Sequence, residues 1–183
     1  MKKILCITYR SWATEIYNSL SRALPNHDFK IINNKSDFNE SIIDEFNPDI
    51  ILWYGWSWII PNRILDKYTS LCLHPSPLPK YRGGSPIQNQ IIDGEKTSAV
   101  TIFKVGKGLD DGDIISQSIF SLDGDIKDIF KRISDLGFSH TYDIITKGYL
   151  LRKQDQNQAT NCIRRKPYES EITIDEIKNN TAE

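Results

Sequence analysis

Hydrophobic and polar positions along this chain follow two alternating rhythms. Compact apolar runs stand at KILCIT (3–8), DFKIIN (28–33), DIILWY (49–54) and SLCLH (70–74), and near-continuous runs of this kind suit strands covered on both faces. Between them the period becomes that of a helix. Trp12, Ile16, Leu20 and Leu24 repeat at four-residue steps and predict a helix over about 12–23. Phe38, Ile42, Ile43 and Phe46 predict a second, capped by Asp37 or Asn39 and stopped by Pro48. Gly55 ends the third strand, and the segment WSWIIP leads into a short helix at about 61–67.

Beyond His74 the same logic continues. Residues 85–92 read as a helix with Pro86 in its first turn, where the missing N–H costs nothing. A strand at 97–105 follows, and IISQSIFS (114–121) alternates in the manner of an outer or antiparallel strand. Asp123-Gly124-Asp125 precede a long helix over about 125–150 whose buried face is Ile129, Ile133, Leu136, Tyr142, Ile145 and Tyr149. Strand and helix in alternation predict an α/β fold, a Rossmann-like, mostly parallel sheet with helices on both faces. Residues 151–183 are polar and lack strong periodicity, so they are expected to wrap the surface or fray as a short C-terminal extension of the domain at 1–150.

Composition narrows the function classes. The 183 residues suit one domain. A charged fraction of 26% with a formal net charge of −1 gives no chain-wide attraction to nucleic acid or an anionic membrane, so any phosphate must be held locally. Cys6, Cys72 and Cys162 are odd in number and show no CxxC spacing, which argues against a disulfide framework or a structural zinc site. They read as buried thiols in a reducing cytoplasm. MKKILCITYR is broken by Arg10 and Ser11 too early for a signal peptide, and no run reaches membrane-spanning length.

Two segments carry the chemistry. In LCLHPSPLPKYRGGSPIQ (71–88) a histidine leaves an apolar strand and meets prolines, a basic pair and glycines. In open α/β sheets ligands collect at such strand ends. KVGKGLDDGDI (104–114) then puts Asp110, Asp111 and Asp113 on a glycine-punctuated loop. One carboxylate beside His74 fixes the imidazole tautomer and favours its charged form; Asp110, the first polar group after Gly108-Leu109, is the candidate. Lys80 and Arg82, flanking Tyr81 ahead of two glycines, and Arg10 with Ser11 at the first strand-to-helix turn, are candidate phosphate ligands. Trp53, Trp56 and Trp58 cannot all face inward between Gly55 and Pro61, so at least one is expected to line a pocket for a flat ligand.

HPSPLPKYRGGSPIQ and GLDDGDI resemble the HPSLLPKYRG segment and LDxG loop of the 10-formyltetrahydrofolate-dependent formyltransferases. Weaker similarity runs over about 1–150, and RRKPYESEI (164–172) is similar to the segment closing the catalytic domain in tRNA and sugar members. The resemblance implies His74 and Asp110 as catalytic residues. It also places Cys72 where the family has an asparagine that donates to the formyl oxygen, and a thiol is a weak donor. Gln88, or a water held by Asp110, is a candidate substitute.

By the same resemblance the donor is 10-formyltetrahydrofolate, its pterin lying against Trp58, Ile59 and the backbone of Val105, Gly106, Lys107, Gly108 and Leu109. The acceptor side would involve Arg10, Ser11, Lys80, Tyr81, Arg82 and Gln88. No metal is implied, and a homodimer is compatible with the family. Transfer to tRNA in this family uses a further C-terminal domain for which the length leaves no room, and glycinamide ribonucleotide enzymes use a glycine-rich first loop that TYRSWAT lacks. The expected acceptor is therefore a small amine, a nucleotide-linked amino sugar, rather than nucleic acid. A formyltetrahydrofolate hydrolase, and a binding protein whose catalysis is impaired by Cys72, stay open as alternatives.

Overall fold

The computed structural model describes residues 1–170. Strands β1 (Lys3–Ile7), β2 (Asp28–Ile32), β3 (Ile50–Leu52), β4 (Ser70–His74), β6 (Thr97–Lys104) and β7 (Ile114–Ser121) form one sheet in the order β2-β1-β3-β4-β6-β7. The first four run parallel, while β6 and β7 are antiparallel additions at one edge. Side chains on β1 explain the unbroken apolar run. Ile4 and Cys6 pack with residues of α1 (Ser11–Ala23) and α5 (Ile126–Lys147), and Leu5 and Ile7 with Ile43 of α2 (Ser41–Phe46) and Ile64 of α3 (Asn62–Lys67). Helices thus cover both faces, as the periodicity predicts.

Local signals set the element boundaries. Asp125 accepts from the N–H groups of Lys127 and Asp128 at 2.7 and 3.0 Å while Asp128 accepts from Asp125 N–H at 3.2 Å, a reciprocal cap that starts α5. The helix ends at Lys147, shorter than the expected 150, because Gly148 takes φ 80°. A Cβ on Gly137 would stand 2.7 Å from Ile16 and Leu73, so glycine there lets α5 approach α1 and the sheet closely. Of the two candidate caps for α2, Asn39 accepts from Ile42 N–H at 3.1 Å, whereas Asp37 sits in a separate 3₁₀ turn. Among the described residues no helix is long and apolar enough to cross a membrane.

The segment after α5 runs over the surface, yet it is tied down. Arg152 and Ile114 exchange backbone hydrogen bonds at 2.8 Å. Strand β8 (Asn161–Cys162) pairs in parallel with β5 (Arg82–Gly83), the two residues that precede α4 (Pro86–Ile92) by a short turn. The end of the RRKPYESEI match, Glu171 and Ile172, lies outside the described residues.

Candidate active site

His74 ends β4 and is 6% exposed. The loop after it is held in place by side chains bonded to its backbone carbonyls. Gln90 Nε2 and Ser98 Oγ donate to Pro75 O, Thr101 Oγ1 to Ser76 O, and Gln117 Nε2 to Leu78 O, at 2.6–3.2 Å. The β6–β7 connection leaves β6 level with Leu71 and returns along β4 to bring Asp110 beside the imidazole. Asp110 Oδ2 stands 3.6 Å from His74 Nδ1 and accepts from Gly83 N–H at 2.9 Å.

The tautomer is fixed by a different partner from the one expected. His74 Nε2 lies 2.7 Å from the carbonyl oxygen of Tyr81, which can only accept, so Nε2 carries the proton and Nδ1 is left as the basic nitrogen facing Asp110. Tyr81 at φ 59°, Ser85 at φ 53° and Asp110 at φ 48° are three of the four non-glycine residues in the left-handed region among those described. Such backbone costs about 1–3 kcal/mol per residue and persists where surrounding contacts over-determine it. Here it concentrates on the loops that carry the histidine–aspartate pair.

His74, Ser85 and Asp110 border a cleft of about 1330 Å³. Cys72, Arg10, Ser11, Gln88, Trp58, Ile59 and the stretch Val105–Leu109 all line it. Trp56 and Trp58 pack at 4.6 Å between ring centroids, Tyr9 meets Trp58 edge-on at 4.9 Å, and Trp58 remains 40% exposed. Trp53 is the one that turns inward. Its indole nitrogen is buried without a partner among the described residues while the residue still borders the cleft.

Lys80, Tyr81 and Arg82 correct the expectation of a phosphate-binding loop. Arg82 is 8% exposed because Gln154 and Gln156 hold its guanidinium, at 2.6–3.1 Å, taking three of its five N–H donors and keeping it off the cleft lining. Lys80 is exposed and lies off the cleft lining. Tyr81 sends its hydroxyl to Glu95 at 3.2 Å and contributes only its carbonyl to the site. Cations reach the cleft by other routes: among the described residues six line it, Arg10, Lys107, Lys127, Lys131, Arg164 and Arg165, against two carboxylates, Glu15 and Asp110.

Arg164 is missed by periodicity because its segment has none. Its position follows from β8: Gly84 N–H donates to Cys162 O, Arg165 N–H donates to Ser85 Oγ, and the Arg164 backbone packs where a Cβ on Gly84 would stand. The Tyr9 hydroxyl meets Ser57 Oγ at 2.5 Å. Partial burial acts to raise the Tyr9 phenol, but the Ser57 bond and the neighbouring Arg10 and Arg164 outweigh it and hold the phenol below its ordinary value.

The thiols are not all buried as expected. Cys6 is, but Cys72 and Cys162 border the cleft, and all three are free. Cys72 Sγ donates to Trp53 O at 3.4 Å. Burial, and after it the Asp110 charge, pushes the Cys72 thiol far above its ordinary range, so it stays a neutral, weak donor.

A family profile described as Formyl transferase matches residues 17–140. Methionyl-tRNA formyltransferase of Rickettsia canadensis is 39% identical over 107 residues, 56% of this chain and 35% of that protein. The Campylobacter lari protein of the same name is 33% identical over 156 residues, 82% of this chain and 52% of that one. The chain thus spans about a third to a half of these curated relatives. Among solved structures, methionyl-tRNA formyltransferase from Clostridium thermocellum superposes with a TM-score of 0.88 at 34% identity, covering 96% of this chain and 78% of that one. A sugar N-formyltransferase from a Shewanella species shares the fold, with a TM-score of 0.70 at 17% identity over 89% of this chain and 77% of its own.

Proposed function

We propose that this chain, which belongs to the formyl transferase family, moves a formyl group from 10-formyltetrahydrofolate to a primary amine on a small, phosphate-bearing acceptor. The observation that carries this reading is His74 Nδ1 facing Asp110 across 3.6 Å inside a cleft lined by six cations. The residues present fit a reduced pteridine: the aromatic wall of Trp56 and Trp58, the strand end at Val105 and the unpartnered Trp53 indole N–H offer apolar faces and a fixed donor to a flat, polar-edged ring. Trp58, Ile59 and the stretch Val105–Leu109 would hold it, and when bound it supplies the formyl group.

The chain's own residues do the rest. Nε2–H is committed to the Tyr81 carbonyl, so Nδ1 is the nitrogen that accepts the proton released as the acceptor amine bonds to the formyl carbon. The imidazolium then hydrogen-bonds the oxyanion and gives that proton to N10 of the donor as the carbon–N10 bond breaks, leaving formamide and neutral tetrahydrofolate. Asp110 stabilises the imidazolium that results. Cys72 directs its weak donor at Trp53 O and offers the reacting oxygen little. Cys72→Asn is therefore expected to raise turnover. Because the Trp53 carbonyl competes for the new amide hydrogens, the gain is put at about tenfold, less than the ~10²–10³ associated with one oxyanion donor. Steady-state rates of the two proteins check it, and an unchanged or lower rate would mean that the site is built around the thiol.

For the acceptor, the formal charge of −1 over the chain together with cations gathered at the cleft favours a small molecule carrying phosphate, a nucleotide-linked amino sugar being the class proposed. Arg164→Ala is expected to raise KM for such an acceptor on the order of tenfold, the effect of one charge-assisted hydrogen bond, with KM for the folate unchanged. Lys80→Ala, off the cleft, should leave both constants alone; equal effects of the two substitutions would contradict the assignment.

A second reading, transfer to an aminoacylated tRNA, is favoured by the 33–39% identity with methionyl-tRNA formyltransferases. Incubation with 10-formyltetrahydrofolate and either a panel of nucleotide-linked amino sugars or charged initiator tRNA, followed by mass spectrometry, separates the two. Formylated sugar supports the first reading, formylated aminoacyl-tRNA alone supports the second, and folate turnover without any acceptor means hydrolysis.

A further inference from the structure

His74 ends β4 while Asp110 sits on the β6–β7 loop, and the small distance between them has to be maintained by something outside the pair. Gln154, in the segment following α5, is 6% exposed and lies against both loops. Its Nε2 donates to Asp110 O at 2.9 Å and to Gly112 O at 2.7 Å. Its Oε1 accepts from Arg82 Nε at 3.1 Å and Nη2 at 2.6 Å. One carboxamide therefore uses both of its donors on the aspartate loop and both acceptor positions on the histidine loop.

Arg82 is the residue through which that grip matters. On one side of it Tyr81 supplies the carbonyl that takes the His74 Nε2 proton, and on the other Gly83 supplies the N–H that holds Asp110 Oδ2. Thr160 adds to the clamp from the same segment: Tyr81 N–H donates to its Oγ1 and Arg82 N–H to its carbonyl, both at 2.9 Å. Tyr81 and Asp110 are also two of the left-handed residues, conformations that relax unless contacts hold them.

We propose that Gln154 is a positioning residue for formyl transfer, locking the Asp110 loop to the Tyr81–Gly83 segment so that His74 Nδ1 and the carboxylate stay aligned; this rests on the function proposed above. Gln154→Glu is the discriminating variant. It keeps one oxygen on Arg82, so the buried cation stays paired, but it removes both N–H donors and turns its other oxygen toward the Asp110 and Gly112 carbonyls. A double variant, Arg82→Met with Gln154→Leu, removes both sides of the clamp without leaving a buried charge unpaired, and serves if the first fails to fold.

The expected kinetic result is a kcat lower by about 10- to 100-fold, the scale of small misplacements at a reacting centre, with KM for 10-formyltetrahydrofolate changed by less than about twofold. The second readout needs no folate. In nitrogen-15 spectra of the ligand-free protein, His74 should show the Nε2–H tautomer in the wild type and a mixture in either variant. A lower melting temperature with kcat per folded molecule and the His74 spectrum both unchanged would reduce Gln154 to a structural role and overturn the proposal. Wild-type protein that transfers no formyl group, with variants that still scramble the His74 tautomer, would overturn the functional reading and leave the coupling standing.

Discussion

Replacing His74 by alanine is expected to lower formyl transfer by about 10²–10⁴-fold, the range for a positioned general acid–base group. The imidazole is a ring at the cleft whose tautomer the surrounding backbone dictates: Nε2–H is spoken for by Tyr81 O, and Nδ1 faces Asp110. Removal does not strand the Tyr81 carbonyl, because Cys162 Sγ also donates to it at 3.4 Å and the cleft admits water. Far-ultraviolet circular dichroism should therefore match the wild type while turnover collapses. Undiminished turnover in a folded variant would refute the role given to His74.

Asp110→Asn is expected to cost about 10²–10³-fold in kcat, comparable with loss of one preorganised electrostatic partner. Asparagine is the informative choice because position 110 has φ 48°, a conformation that asparagine and aspartate tolerate far better than alanine. Its side-chain oxygen can still accept from Gly83 N–H, so the loop keeps its contact. What changes is the face toward His74. The oxygen that accepts from Gly83 N–H is also the one that faces Nδ1, so asparagine puts a neutral oxygen where the carboxylate charge stabilises the ring once it has taken the proton. Steady-state kcat together with a melting curve checks this; a folded variant within a few-fold of wild type would remove Asp110 from the chemistry.

How much of this was legible in the amino acids varies by element. The buried strands and most of the α1 and α5 faces were, because a continuous apolar run or a four-residue step reports burial directly, although Tyr149, counted in the α5 face, falls beyond the helix and is 37% exposed. The histidine–aspartate pair was legible through the resemblance of two long motifs, though not its geometry: that Tyr81 O fixes the tautomer depends on a backbone carbonyl, which no side-chain pattern encodes. Arg82 misled for a related reason. A basic residue before two glycines looks exposed until Gln154 and Gln156, more than 70 residues later, are known to surround it. Those glutamines, with Thr160 and Arg164, lie in a polar segment without periodicity and act through single hydrogen bonds and one short strand pairing. Gly83 and Gly84 were the available signal, since adjacent glycines permit the close approach of another chain segment, here Cys162 and Arg164.

The most direct test of the account is the release of tetrahydrofolate from 10-formyltetrahydrofolate, followed with and without an amino-sugar nucleotide, for wild type, His74→Ala and Asp110→Asn side by side. The account predicts release that depends on the amine in the wild type and is lost in both variants. Release that ignores the amine, or that survives in a folded His74→Ala protein, would contradict it.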